Sequence, residues 1–147
     1  MKKKISSKLC SIIIRTKNEE RWITPCLKSI FSQTYRNFEI LIVDNYSTDK
    51  TVEKAKQFKI SKILKIKKFF PGKAINLGIK NSKGDYAVIL SAHAIPTNSL
   101  WLEKFVNAIE EDEKFAGVYG RQEPMSFSSP SDKRDLMIVF GLDRKKL

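Results

Sequence analysis

The chain has 147 residues, 41% of them hydrophobic, and its 28 Lys and Arg against 16 Asp and Glu leave a formal net charge of +12. That length suits one domain with an ordinary core. No apolar run approaches a membrane span, and the basic start Met1–Lys8 has no apolar signal core behind it. Residues 1–8 read as a flexible basic arm, and residues 9–147 as a single α/β domain.

Ser11-Ile12-Ile13-Ile14 is β-branched and uncharged, and reads as a first strand. Trp22, Cys26 and Ile30 then recur every fourth residue, with Leu27 and Phe31 beside them, one stripe of a helix over Pro25 to Ser32. Thr24 caps that helix and Pro25 takes its first position, where a missing N–H does no harm. Phe38 to Val43 is nearly all apolar and closes on Asp44, a second strand buried on both faces as in a parallel sheet. Ser47 or Asp49 caps a second helix running to Phe58, with Val52, Ala55 and Phe58 inward. Ile63 to Ile66 is a short third strand. Phe69 to Gly72 is a loop, and Ala74 to Asn81 a helix with Ile75, Leu77 and Ile79 available for packing.

Tyr86 to Leu90 reads as a fourth buried strand, stopping at Ser91-Ala92-His93-Ala94-Ile95-Pro96. A helix starts at Asn98 or Ser99 and carries Trp101, Leu102, Phe105, Val106 and Ile109. Ala116 to Tyr119 is a fifth strand, Met125 to Pro130 is irregular, and Asp132 to Gly141 is a last helix. The alternation predicts a three-layer α/β/α sandwich with a mostly parallel sheet. In such sheets ligands bind outside the carboxyl ends of the strands. Those ends carry Arg15-Thr16-Lys17-Asn18-Glu19-Glu20 and Asp44-Asn45-Tyr46-Ser47-Thr48-Asp49, both polar and both on one edge.

Several function classes lack their signatures. No G-x-G-x-x-G follows the first strand, and Gly72-Lys73-Ala74 has neither the spacing nor the hydroxyl of a P-loop. Cys10 and Cys26 have no metal-ligand spacing and read as reduced thiols near the core of a cytosolic protein. The lysine excess, dense from Lys54 to Lys73, is not interleaved with aromatics as stacking platforms require. No zinc-finger, RNA-recognition or helix-turn-helix pattern occurs, so no nucleic-acid partner is expected. A solvated basic surface is the first reading of the charge, and weak attraction to anionic lipid the second.

Four pieces in order carry a resemblance. They are the first strand with its T-x-N-E turn, S-I-x-x-Q-T at a helix end, E-I-x-I-V-D-N-x-S-T-D-x-T, and Gly72 to Gly78 followed by Asn81-Ser82-Lys83-Gly84-Asp85-Tyr86. Together they resemble the family 2 glycosyltransferases of GT-A fold. The resemblance implies an enzyme that binds a nucleoside-diphosphate sugar, UDP- or dTDP-linked, and transfers the sugar with inversion to a saccharide or lipid-linked acceptor. It implies that Asp44 reads the nucleobase, because a carboxylate accepts from an imide N–H. The bland alternative is an Asp that ends a strand and caps a turn. Thr16 and Glu19 would border the base and ribose. Lys73 would meet a phosphate, with Asn76 beside it, and Gly78 would allow close helix packing; a plain surface lysine is the alternative.

At Ser91-Ala92-His93 the family usually carries Asp-x-Asp, whose last carboxylate holds a divalent cation on the diphosphate. Ser91 can still bond a ribose. His93, the one histidine of the chain, can ligate a metal, and imidazole suits manganese better than magnesium. The cofactor implied is therefore a divalent cation, Mn or Mg. The S-A-H-A-x-P variant resembles rhamnosyltransferase-like members. The carboxylate that serves the family as base lies beyond this stretch, and none of Asp132, Asp135 and Asp143 matches it, so no base is assigned. The chain reads as the donor-binding part, its acceptor half largely missing, with an apolar patch at Phe127, Met137 and Phe140 that favours a homodimer. A cytoplasmic location, peripheral at the inner face of the membrane, follows from the family's acceptors. Two rival readings stand beside this one: a nucleotide-sugar-binding remnant without turnover, and a basic nucleic-acid-binding module.

Overall fold

The structure, a computed structural model, describes residues 7–140 apart from Phe69, and of Phe140 the backbone alone. The chain divides into two compact units, Met1–Asn107 and Ala108–Leu147. In the first, β1 (Cys10–Thr16), α1 (Ile23–Phe31), β2 (Phe38–Asp44), α2 (Thr51–Ala55), β3 (Lys62–Lys65), α3 (Pro71–Asn81) and β4 (Tyr86–Ser91) follow one another, and α4 (Trp101–Ile109) starts there. Every pairing is parallel, in the order β3-β2-β1-β4. Parallel neighbours need crossovers, and each crossover here contains a helix.

Side chains alternate across β1 and sort into two cores. Ile12 and Ile14, with Ile40 and Ile42 of β2, meet Ile23, Cys26, Leu27 and Ile30 of α1, Ala55 of α2, and Leu102 and Val106 of α4. Ile13 and Val43 meet Ala74 of α3 on the other face. Helices thus cover both faces of a parallel sheet, the three-layer α/β sandwich that the alternation of elements predicts. Gly78 lets α3 lie close on β1, since a Cβ there would stand 2.4 Å from Ile13 Cγ2. Close packing was the role expected of it.

Several boundaries differ from the sequence reading, each for a physical reason. The α1 stripe is Ile23, Cys26, Leu27 and Ile30, not one begun by Trp22. Thr24 lies inside the helix and caps nothing; the first amides, of Trp22 and Ile23, are turned onto Glu19 O instead. α2 is one short turn and a half, entered through Asp49, whose Oδ1 accepts from Thr51 N–H and Oγ–H. α3 begins at Pro71, which takes the first helical position expected of a loop residue. Its Ile79 is exposed, while Ala74 and Gly78 are the buried pair.

β4 is not buried on both faces. It is the outer strand beside β1, and Ala87 and Ile89 are exposed on the face that Ile13 shares, while Tyr86, Val88 and Leu90 pack inward. In the second unit Ala116 to Tyr119 is irregular chain rather than a strand, with Val118 and Tyr119 exposed. A short β-type run makes a strand only where a neighbour offers a ladder, and among the described residues none does. α5 (Pro130–Phe140) lies in that unit, with Met137, Ile138 and Val139 exposed. Phe127 is exposed as well, while the Phe140 side chain lies outside the described residues.

Candidate donor site at the carboxyl edge of the sheet

The carboxyl ends of β1, β2 and β4 lie side by side, because Thr16 pairs with Asp44 and Arg15 with Ser91 in the ladders. Alternation then deals the end residues to two faces. Thr16 and Asp44 follow Ile14 and Ile42 toward the α1 and α2 side, and Arg15 and Ser91 follow Ile13 toward the α3 side. α3 joins the parallel strands β3 and β4, so its N-terminus, carrying Lys73, opens on this same edge.

On the α3 side, Arg15 Nη2 donates to Ser91 Oγ at 2.9 Å. Arg15 Nε is buried and has no partner. The turn after β4 is set by Ala92 N–H on Arg15 O and Ala94 N–H on Ser91 O. Ala92 is fully buried between two polar residues that reach out, which is why that position must be small. His93 reaches back across to the first loop, where its Nδ1 lies 2.9 Å from Glu19 Oε1. Its side chain is 60% exposed, so the rest of the ring faces solvent.

On the other side the carboxylate of Asp44 is 1% exposed. Its oxygens accept from Ser47 N–H at 3.1 Å and Ser47 Oγ–H at 2.5 Å. Asp44 thus ends its strand and closes the turn behind it. Thr16 Oγ1 is buried with no partner. Asn45 follows on the exposed side of the turn, its N–H on Thr16 O, and its side-chain amide makes no hydrogen bond among the described residues.

The loops after β1 and β2 are joined along their length. Asn18 N–H donates to Ser47 Oγ, Thr48 N–H to Asn18 Oδ1, Glu20 N–H to Asp49 Oδ2 and Lys50 N–H to Glu20 Oε2. Asn18 and Tyr46 both take left-handed backbone, φ 51° and 50°, a conformation Asn tolerates better than most residues. Burial pushes the Asp49 carboxyl up, but hydrogen bonds from the Thr51 hydroxyl and N–H and from Glu20 N–H outweigh it and hold the group below the usual carboxylate range.

Of the residues expected at the site, His93 and Glu19 are brought together, Thr16 lies beside Asp44, and Ser91 is bonded to Arg15. Lys73 stands exposed at the start of α3, its Nζ 5.1 Å from the centre of the Phe70 ring, and Asn76 is exposed one turn on. Sequence reasoning missed Arg15 and Asn45. The signal for Arg15 was present: a charged residue ending a fully apolar run has to find a polar partner, and period-two spacing puts it opposite Ile14.

A divalent cation can be tested against these groups. A neutral His93 gives its Nδ1 proton to Glu19 and keeps Nε2 as a free lone pair, the arrangement in which a carboxylate orients a metal-binding imidazole. Among the described residues no three His, Cys, Asp or Glu side chains cluster. His93 Nε2 is thus one atom that could ligate a cation, with no cluster of three such side chains around it among the described residues.

The chain is similar to known proteins in sequence and in fold. The family described as Glycosyl transferase family 2 matches residues 11–146. A Methanococcus voltae protein named dolichyl N-acetyl-alpha-D-glucosaminyl phosphate 3-beta-D-2,3-diacetamido-2,3-dideoxy-beta-D-glucuronosyltransferase is 42% identical over 121 residues, covering 75% of this chain and 38% of its own length. Among solved structures, S. aureus TarS 1–349 in complex with UDP-GlcNAc is 28% identical with a TM-score of 0.64, covering 80% of this chain and 38% of that one. The mannosyltransferase PcManGT from Pyrobaculum calidifontis, in complex with GDP-Man and Mn2+, shares the fold at 20% identity, with a TM-score of 0.72 over 90% of this chain and 39% of that one. The chain thus spans about two fifths of the length of these relatives. The fold is of the GT-A type, and the chain belongs to glycosyl transferase family 2.

Proposed function

We propose that this chain holds the nucleoside-diphosphate part of a sugar donor at the carboxyl edge of its sheet, for inverting transfer of the sugar to a saccharide or lipid-linked acceptor. The observation that carries the reading is the joining of two strand ends and a loop by Arg15–Ser91 and Glu19–His93. UDP is the nucleotide to test first, since TarS, a relative of this chain, was solved with UDP-GlcNAc. A cytoplasmic setting at the inner face of a membrane fits such an acceptor; among the described residues no helix is long and apolar enough to cross a membrane.

Each residue has a part that its geometry allows. The Arg15 guanidinium spends one Nη2–H on Ser91, so its other terminal N–H groups would be the fixed donors for ribose or phosphate oxygens. Lys73 adds a point charge at a helix N-terminus, where backbone N–H groups already favour an anion. Asn76 lies one turn further along the same helix. Asp44 would accept from an imide N–H of the base, with the Asn45 amide beside it. Thr16 Oγ1 is a hydroxyl still without a partner. A cation on His93 Nε2, manganese in preference to magnesium, would offset the charge that grows on the leaving diphosphate. Glu19 would keep the ring turned toward it. Asp132 and Asp135 lie in the second unit and Asp143 outside the described residues, and no base is assigned among them.

Calorimetry with UDP tests this. Affinity should be higher with manganese than with magnesium, and His93→Ala should erase that difference. Arg15→Met should weaken binding with either metal by about 1–3 kcal/mol, the scale of a lost hydrogen bond to a charged group. Equal affinity with and without metal would remove the role of His93. No UDP binding in any condition, with duplex DNA bound at physiological salt, would overturn the reading, because charge alone loses its hold as salt rises.

A further inference from the structure

Between Glu53 and Asp85 the chain carries ten lysines and no acidic residue. Among the described residues none of the ten is paired with a carboxylate. Lys54 and Lys62 settle their ammonium groups on backbone oxygens of Glu20 and Asn81. Lys65, Lys67 and Lys68 stand exposed where the outer strand β3 leaves the sheet. Two large aromatic residues flank them, Tyr46 at 43% and Phe70 at 55% exposure. Lys65 Nζ lies 5.3 Å from the centre of the Tyr46 ring. One corner of the molecule thus combines unneutralised ammonium groups with unburied rings.

Each half of that combination is unfavourable in water alone. Like charges without counter-charges repel one another, and a half-exposed ring forgoes apolar burial. A bilayer with anionic headgroups relieves both, because its surface potential attracts lysines and its interface accepts aromatic rings at headgroup depth. A nucleic acid would use the rings as stacking platforms, but here each ring already carries an ammonium over it. We propose that this corner, Tyr46, Lys65, Lys67, Lys68 and Phe70, docks the chain on an anionic lipid surface. The β3–α3 connection opens on the same edge as the donor site, so docking presents that edge to the membrane, where a lipid-linked acceptor would be reached. That consequence rests on the transfer reading. The docking itself does not, and vesicle binding reads no transfer.

The test is sedimentation of the full chain with vesicles at physiological salt. Vesicles of phosphatidylcholine with phosphatidylglycerol should carry the chain down, and vesicles of phosphatidylcholine alone should not. Lys67→Gln with Lys68→Gln should lower partitioning by roughly thirtyfold, from about a fivefold effect per lysine near the surface. Lys28→Gln with Lys104→Gln removes the same charge elsewhere and should cost less than about threefold, since charges beyond a Debye length are screened. Phe70→Trp should show blue-shifted emission quenched by brominated lipid, measured over the background of Trp22 and Trp101. Equal losses from the two lysine pairs, or emission at position 70 unmoved by vesicles that bind the chain, would overturn the proposal. So would binding of single-stranded RNA at that salt with anionic vesicles left unbound.

Discussion

Arg15 and Asp44 show how one residue's parity decides its chemistry. Both lie at the end of a strand, yet Asp44 falls on the α1 and α2 face and holds Ser47, while Arg15 falls on the α3 face and holds Ser91. Cys26 shows the same dependence on surroundings. Its Sγ approaches Ala94 O at 3.6 Å, and burial pushes the thiol from 9.0 up to about 12. A thiol held neutral is a poor nucleophile, so iodoacetamide at neutral pH should label Cys26 only as the chain unfolds. The sign for stability follows from linkage. Below pH 9 both states keep the proton and Cys26 adds no pH dependence; between pH 9 and about 12 the unfolded chain loses it first, and stability falls. Urea denaturation across that window should show the fall, and Cys26→Ala should lessen it. Rapid labelling of the native protein would contradict this.

At the scale of elements, Gln33 ties α1 to the segment that enters α4. It is fully buried just past the end of α1. Its Nε2 donates to Ser29 O and Asn98 O, each at 2.9 Å, and its Oε1 accepts from Leu102 N–H at 2.9 Å. An amide is the one neutral side chain able to donate twice and accept in the same place. Gln33→Leu keeps the bulk but leaves Leu102 N–H unpaired away from water and Asn98 O with only the long bond from Trp101 N–H. The cost should be about 2–3 kcal/mol, read from the urea midpoint. A loss below about 0.5 kcal/mol would mean that water replaces the amide. Gln33 also belongs to the S-I-x-x-Q-T piece of the family resemblance, so that piece records packing rather than chemistry.

For the whole molecule, the two units differ in how they bury apolar surface. Ile12 in β1 is fully buried, whereas Ile138 in α5 is 71% exposed. Ile12→Ala should cost about 2–5 kcal/mol, the transfer term plus a cavity that a close-packed sheet core cannot collapse. Ile138→Ser should change stability by less than about 0.5 kcal/mol. Chemical denaturation of both variants checks the contrast. A large loss at Ile138 would show that α5 buries this side chain against a second copy of the chain in solution.

The succession of strands and helices and the parallel character of the sheet were legible in the sequence, because runs such as Ile12–Ile14 and Ile40–Val43 are wholly apolar and a helical stripe stands between them; the strand order was not. The polar strand ends were legible because the apolar runs stop there, while Ser91, His93 and Glu19 were singled out by the resemblance to the family. Local pattern could not tell that Tyr86–Leu90 is an outer strand with one open face, since an apolar run looks the same until its neighbours are counted. Nor could it tell that Ala116–Tyr119 would find no ladder. The pairing of His93 with Glu19, 74 residues away, and of Arg15 with Ser91, 76 away, exists only once β4 lies beside β1. Tertiary structure decided those partners because hydrogen bonding depends on position in space, and the crossover between the strands sets that position.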